Sequence, residues 1–325
     1  MPQESVGYAV GRISMLRRDA LDASRLERLL STASYAEAKR TLSEIGWTAA
    51  EEADHEQLAM ERVAEASRIV RQLSTDEKVT NCFLLKYDIA NLKMLLKARC
   101  LGISADYLSD SGTMAVDALR HAVADHNYKQ LPAPIAQAME ELEKELVVSV
   151  DPLAIDVKLD QAMFRQIFAS LEKTKCRTAV TYFQARVDLL NALAMLRSRQ
   201  MKKDTAFFMH VLLAGGTIAD EAWQKTFTKV EELPKLLSKY GASVQDAAYR
   251  AVNDPAHLPG LEKAMDNELL KLFLPYKYNN MNLEFILSYL LATEREAAAV
   301  RLVMAGKANG FAMEAIRERL RDLYG

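Results

Sequence analysis

Apolar residues along this chain recur every three or four positions, the spacing that lines one face of a helix. In the stretch from 76 to about 101, Leu84, Leu85, Ile89, Leu92, Leu95 and Leu96 follow that spacing and predict one broad buried face. Similar patterns predict helices at about 53–73, 113–125, 135–148, 153–170 and 173–202. Others are expected at about 218–228, 243–253, 260–273, 281–306 and 312–323. Strands need alternation with β-branched enrichment, and no convincing run of that kind occurs. Pro132, Pro134, Pro152, Pro234, Pro255, Pro259 and Pro275 fall between these patterns or in their first turns, where proline is tolerated. The fold class this predicts is all-α.

The pattern also repeats on a longer scale. The segment Asp88-Ile-Ala-Asn-Leu-Lys-Met-Leu-Leu-Lys-Ala-Arg99 returns as Asp188-Leu-Leu-Asn-Ala-Leu-Ala-Met-Leu-Arg-Ser-Arg199 and, more loosely, as Glu296-Ala-Ala-Ala-Val-Arg-Leu-Val-Met-Ala-Gly-Lys307. The acid recurs at Asp88, Asp188 and Glu296, and the terminal base at Arg99, Arg199 and Lys307. Asn91 and Asn191 match each other, whereas the third copy has Ala299. A second echo pairs Gly112-Thr-Met-Ala-Val-Asp-Ala-Leu119 with Gly216-Thr-Ile-Ala-Asp-Glu-Ala-Trp223, and Leu26 and Tyr35 pair with Leu119 and Tyr128. The expected organisation is a helix start at 1–19 followed by three divergent helical units, 20–111, 112–215 and 216–325. If each repeated segment starts with its acid and ends with its base, the charges oppose the helix macrodipole and need no functional role. The sharper alternative makes Arg99, Arg199 and Lys307 three contacts on one partner surface.

Composition narrows the possible chemistry. Half of the 325 residues are hydrophobic, and only twelve are glycine and eight proline. The dominant Ala, Leu, Glu, Lys, Arg and Met lose little side-chain entropy in helices. A formal charge of −2 lacks the cationic excess that nucleic acid or anionic lipid usually requires. Cys82, Cys100 and Cys176 form no CxxC pair, so buried reduced thiols are expected rather than disulfides or zinc. Glu4, Arg12, Arg17 and Arg18 interrupt any signal-peptide core. The longest nearly uncharged stretch, 206–219, is too short for a bilayer, which takes about 20 residues.

No catalytic constellation emerges. His55-Glu56 starts like a zinc-protease helix, but Ala59 stands where the second histidine belongs. His121 and His126 are five apart and read as a surface pair, while His210 and His257 are isolated. Gly306-Lys307 lacks both the upstream glycine and the following Ser or Thr of a phosphate loop, and Gly215-Gly216 follows no strand. Neither nucleotide, metal nor other cofactor is expected. The acid clusters Glu51-Glu52 and Glu140-Glu141-Glu143 read as solvated helix faces or first-turn acids.

Three stretches resemble the C subunit of the archaeal and bacterial V/A-type ATPases, which is similar to the d subunit of the eukaryotic vacuolar enzyme. They are Gly7-Tyr-Ala-Val-Gly-Arg-Ile-Ser-Met-Leu-Arg17, Tyr87 through Arg99, and Tyr289 through Leu320. The resemblance runs the length of the chain in order. It implies a funnel of three pseudo-threefold helical units with no active site. In that family the funnel seats the central shaft subunits on the membrane proteolipid ring, at the cytoplasmic face. Polar shaft contacts, and ring contacts made by helix ends and loops, would follow from that role. The alternative is a generic α-helical repeat scaffold for other protein partners, whose usual units of about 34–45 residues are much shorter than these.

Overall fold

The computed structural model describes residues 6–47, 54–277 and 282–324. The acids Glu51 and Glu52 lie outside the described residues. Among the described residues all regular structure is helical, in sixteen α-helices and five short 3-10 turns.

The chain opens with α1 (Val6–Leu16), α2 (Ala23–Leu30), α3 (Tyr35–Glu44) and α4 (His55–Leu73). Next come α5 (Glu77–Leu101), α6 (Val116–Ala124), α7 (Ala133–Leu146), α8 (Pro152–Leu171) and α9 (Arg177–Gln200). After them stand α10 (Thr205–Val211), α11 (Asp220–Thr228), α12 (Leu233–Leu236) and α13 (Ala242–Asn253), and α14 (Leu258–Lys271), α15 (Leu283–Ala308) and α16 (Met313–Arg319) complete the set. Short polar side chains start many of these helices. Asp22, Ser34, Asp54, Asp76, Asp151, Asp204 and Asn282 each accept a backbone N–H from the first turn, satisfying a donor the helix leaves orphaned. Pro152, Pro234 and Pro259 occupy first turns, where a missing N–H costs nothing.

Two compact units result. One is continuous, residues 76–255; the other joins residues 1–75 to 256–325. In the continuous unit α8 packs against both α5 and α7. Phe83 on α5 meets Tyr182 and Phe183 of α9 with ring centroids 5.2 and 4.8 Å apart, a separation at which aromatic pairs add to simple burial. In the discontinuous unit α15 lies along α4. From Phe285 onward the pattern of one apolar stripe gives way: Phe285 to Thr293 are all buried, so this part of α15 is enclosed on all sides. Small residues let neighbours approach it closely. A Cβ on Gly306 would stand 2.5 Å from Cδ1 of Ile316 in α16.

Candidate functional site

The repeated acid and base do not cap their helices as a pair. Asp88 lies in the middle of α5, Asp188 in the middle of α9 and Glu296 in the middle of α15. All three are buried, at 2%, 0% and 6% exposure. Opposition to the macrodipole therefore does not explain the acids, because that field acts within the terminal turns. Each acid instead binds the backbone just before a short helix, and the base a few turns on binds the backbone at that short helix's far end. The arrangement is a clasp, and it occurs three times.

In the first clasp Asp88 accepts from Thr113 N at 2.8 Å, Thr113 Oγ1 at 2.6 Å and Met114 N at 3.2 Å. Asn91 exchanges two 2.8 Å hydrogen bonds with the backbone of Ser109. Arg99 donates to Val123 O, at the end of α6, at 2.7 Å. The second clasp repeats this almost atom for atom. Asp188 accepts from Thr217 N at 2.9 Å, Thr217 Oγ1 at 2.7 Å and Ile218 N at 3.3 Å. Asn191 pairs with the backbone of Leu213 at 2.9 and 2.8 Å, and Arg199 donates to Phe227 O of α11 at 2.6 Å. Gly112 and Gly216 are needed because a Cβ on either would lie 2.0 Å from the carboxylate.

The third clasp is looser. Glu296 accepts from Leu21 N at 3.1 Å, and Lys307 donates to Leu30 O of α2 at 2.7 Å and to Thr32 O. By register Leu21 corresponds to Met114 and Ile218, while Ala20 replaces the threonine and Asp19 the glycine. The hydroxyl donor is thus gone, and Ala299 supplies no amide.

All three long helices end alike. Gly102, Lys202 and Gly310 adopt φ of 66°, 54° and 66°. The N–H of Ile103, Lys203 and Phe311 reaches back to Ala98 O, Ser198 O and Gly306 O, closing a Schellman cap. Of the three, Lys202 takes the left-handed conformation without being glycine, a strained choice for an L-residue.

Neighbouring charges vary around this frame. Arg99 also binds Glu143, which takes a hydrogen bond from Tyr128 and lies 3.0 Å from His126 Nδ1, so Glu143 is not the freely solvated acid expected from the sequence. Burial works to raise its pKa, and the bonds to Tyr128 and Arg99 more than offset this and hold it below the ordinary value. Glu141 pairs with Lys158, and Asp188 gains Tyr240 and Lys239 as further donors. Of the thiols, Cys82 and Cys176 are buried while Cys100 is half-buried. Burial pushes the Cys82 thiol up to about 12, which leaves it protonated and unreactive. Among the described residues no group of three or more His, Cys, Asp or Glu is placed to hold a metal. No described helix is long and apolar enough to cross a membrane.

Comparison with known proteins places this frame. The model of the ATP synthase (C/AC39) subunit family matches residues 9–319. The chain belongs to that family. It is 22% identical over 263 residues to the C subunit of the V-type sodium ATPase of Enterococcus hirae, covering 78% of each chain. It is 23% identical over 276 residues to the C subunit of the A-type ATP synthase of Thermococcus gammatolerans, covering 80% of this chain and 73% of the relative. With the corresponding A-type ATP synthase chain of Halobacterium salinarum the identity is 27% over 245 residues, 72% of this chain and 62% of the relative. As a member of the C/AC39 family the chain is part of a membrane-associated rotary ATPase. The family match spans all three clasps, so their geometry belongs to the body of this protein rather than to an appended domain.

Proposed function

We propose that this chain is the non-catalytic component that couples the central shaft of a V/A-type rotary ATPase to its membrane proteolipid ring. The carrying observation is the family match over residues 9–319. In this reading the chain sits peripherally at the cytoplasmic face of the membrane and serves ion transport linked to ATP synthesis or hydrolysis. It holds no cofactor and binds neither nucleotide nor nucleic acid.

The helical units 20–111, 112–215 and 216–325, preceded by 1–19, would form a pseudo-threefold funnel. Support comes from the clasps, each of which ties the long helix of one unit to the short helix of the next. Asp88 reaches Thr113, Asp188 reaches Thr217, and Glu296 reaches back to Leu21, as a closed cycle of three requires. A torque-bearing adaptor needs stiff joints and recognition surfaces rather than chemistry, and side chains locked onto backbone groups are stiff. Arg99, Arg199 and Lys307 bind neighbouring carbonyls while retaining exposed surface. They are the proposed partner contacts at the helix ends. Polar residues would meet the shaft, and helix ends with their loops would meet the ring.

The decisive experiment is a pull-down of the tagged full chain from detergent-solubilised membranes. Recovery of the shaft subunits together with the proteolipid supports the coupling role. Recovery of the chain with unrelated proteins, and without those subunits, overturns it.

A further inference from the structure

The third clasp holds a carboxyl group far less completely than the other two. Asp88 and Asp188 each have three donors within one turn of backbone. Glu296, almost as deeply buried, has the single N–H of Leu21. Cations surround it, but among the described residues none forms a hydrogen bond or ion pair with it, although Arg17 Nε and Arg62 Nε are buried without a hydrogen-bond partner. From α4, Arg62 lies 3.9 Å from Glu65 and 5.5 Å from the ring centroid of Trp47. At the start of α2, Arg25 donates to Ala20 O at 2.7 Å and Arg18 O at 3.2 Å. Before α2, Arg17 donates to Ser288 Oγ at 2.6 Å and Lys277 O at 3.3 Å. Among the described residues Glu296 forms no ion pair.

Glu296 lines a cavity of about 220 Å³, whose other ionisable walls are Arg18, Asp22, Lys277, Tyr289 and Tyr324 besides Arg17 and Arg62. That volume holds several waters and gives protons a route to the carboxyl. We propose that Glu296 is a proton-binding site that sets how firmly α15 holds the start of α2: the joint is closed with the carboxyl protonated and loosens when it ionises. A buried charge with one neutral donor is costly, and lifting the segment around Leu21 to admit water is the available relief. Burial pushes the Glu296 pKa up to about 7, only partly opposed by the Leu21 N–H and by the Arg62, Arg25 and Arg17 charges. The transition therefore falls at neutral pH.

Hydrogen exchange of the full chain at pH 5, 6, 7 and 8, corrected for intrinsic rates, tests this. Protection across residues 18–27 falls with rising pH below neutrality, approaching roughly tenfold per unit where only the loosened joint has released its proton, and levels off by pH 8. Protection across 112–120 and 216–224, beside Asp88 and Asp188, stays level. Glu296→Gln keeps the acceptor for Leu21 and flattens the response of 18–27. A level wild-type profile at 18–27 overturns the proposal, as does an equal fall in the Gln variant. If the Gln variant does not fold, the wild-type contrast among the three segments decides alone.

Discussion

The clasps at Asp88 and Asp188 differ from the one at Glu296 in a single coordinated way. In the first two a short acid, a glycine and a threonine fit together so closely that an added methyl group would overlap the carboxylate. In the third the acid is one methylene longer, Ala20 and Asp19 replace Thr and Gly, and a single donor remains. The same architectural role is thus met by a saturated joint twice and by an under-saturated one once. Saturation fixes a geometry, whereas an under-saturated buried acid keeps its proton within reach of physiological pH.

The sharpest way to break the tight joints is Gly112→Ala or Gly216→Ala. The new Cβ would fall 2.0 Å from the acid's Oδ1, so the carboxylate must leave its donors. Overpacking plus orphaned N–H groups predicts a loss of about 3 kcal/mol or more in urea unfolding. A loss below about 1 kcal/mol would show that the joint is soft after all.

Nearly as large is the pH effect at the loose joint. Below its ordinary pKa of 4.5 Glu296 is protonated both folded and unfolded, and it contributes no pH dependence. Between 4.5 and about 7 only the unfolded chain gives up the proton, so stability falls as pH rises, by about 3 kcal/mol in all, and is constant above. Glu296→Gln removes this slope. Compared by chemical denaturation, the variant gains on wild type by about that amount from pH 4.5 to 8. No relative gain would mean that the carboxyl ionises in the fold as freely as in the unfolded chain.

Asn191→Ala removes two hydrogen bonds that hold the Leu213 backbone and is expected to cost about 2 kcal/mol in the same denaturation measurement. Ala299→Asn, which forces a polar amide into a buried alanine position, is expected to destabilise by a similar amount. The smallest effect sits at the helix ends. Lys202→Gly relieves a left-handed backbone and should stabilise by about 1 kcal/mol, while Gly310→Ala should cost about as much. Thermal melts of the two variants are expected to shift in opposite directions.

The long helices were legible because each buries enough turns for a period to show. Predicted stretches such as 76–101 and 153–170 match α5 and α8 to within a residue or two at each end. The short α2, α10 and α12 were not separately readable, since one or two turns carry too few apolar positions to display a period, and the longer α3 buries only Ala38, Thr41 and Leu42. The Gly-Thr echo was visible in the sequence, but its bond to the repeated aspartate was not, because periodicity does not report which backbone N–H a side chain will reach. The third clasp is harder still. Its partner lies 275 positions upstream, and neither the glycine nor the threonine survives there to mark it. Register alone grouped Arg99, Arg199 and Lys307, and the carbonyls they bind became apparent only with α2, α6 and α11 in place.

The bond from Lys307 to the end of α2 also orders events during synthesis. Residues 76–255 form a continuous unit, so that part has all its partners as soon as it has left the ribosome. The first 75 residues must wait for α15, roughly two hundred residues later, and at bacterial-to-eukaryotic elongation rates that delay is on the order of 10–40 s. During that interval α4 has emerged with its apolar face uncovered, because α15, the helix that will cover it, follows only about two hundred residues later. A chaperone or early partner acting on this protein would find its target on the uncovered face of α4, while residues 76–255 are already folded.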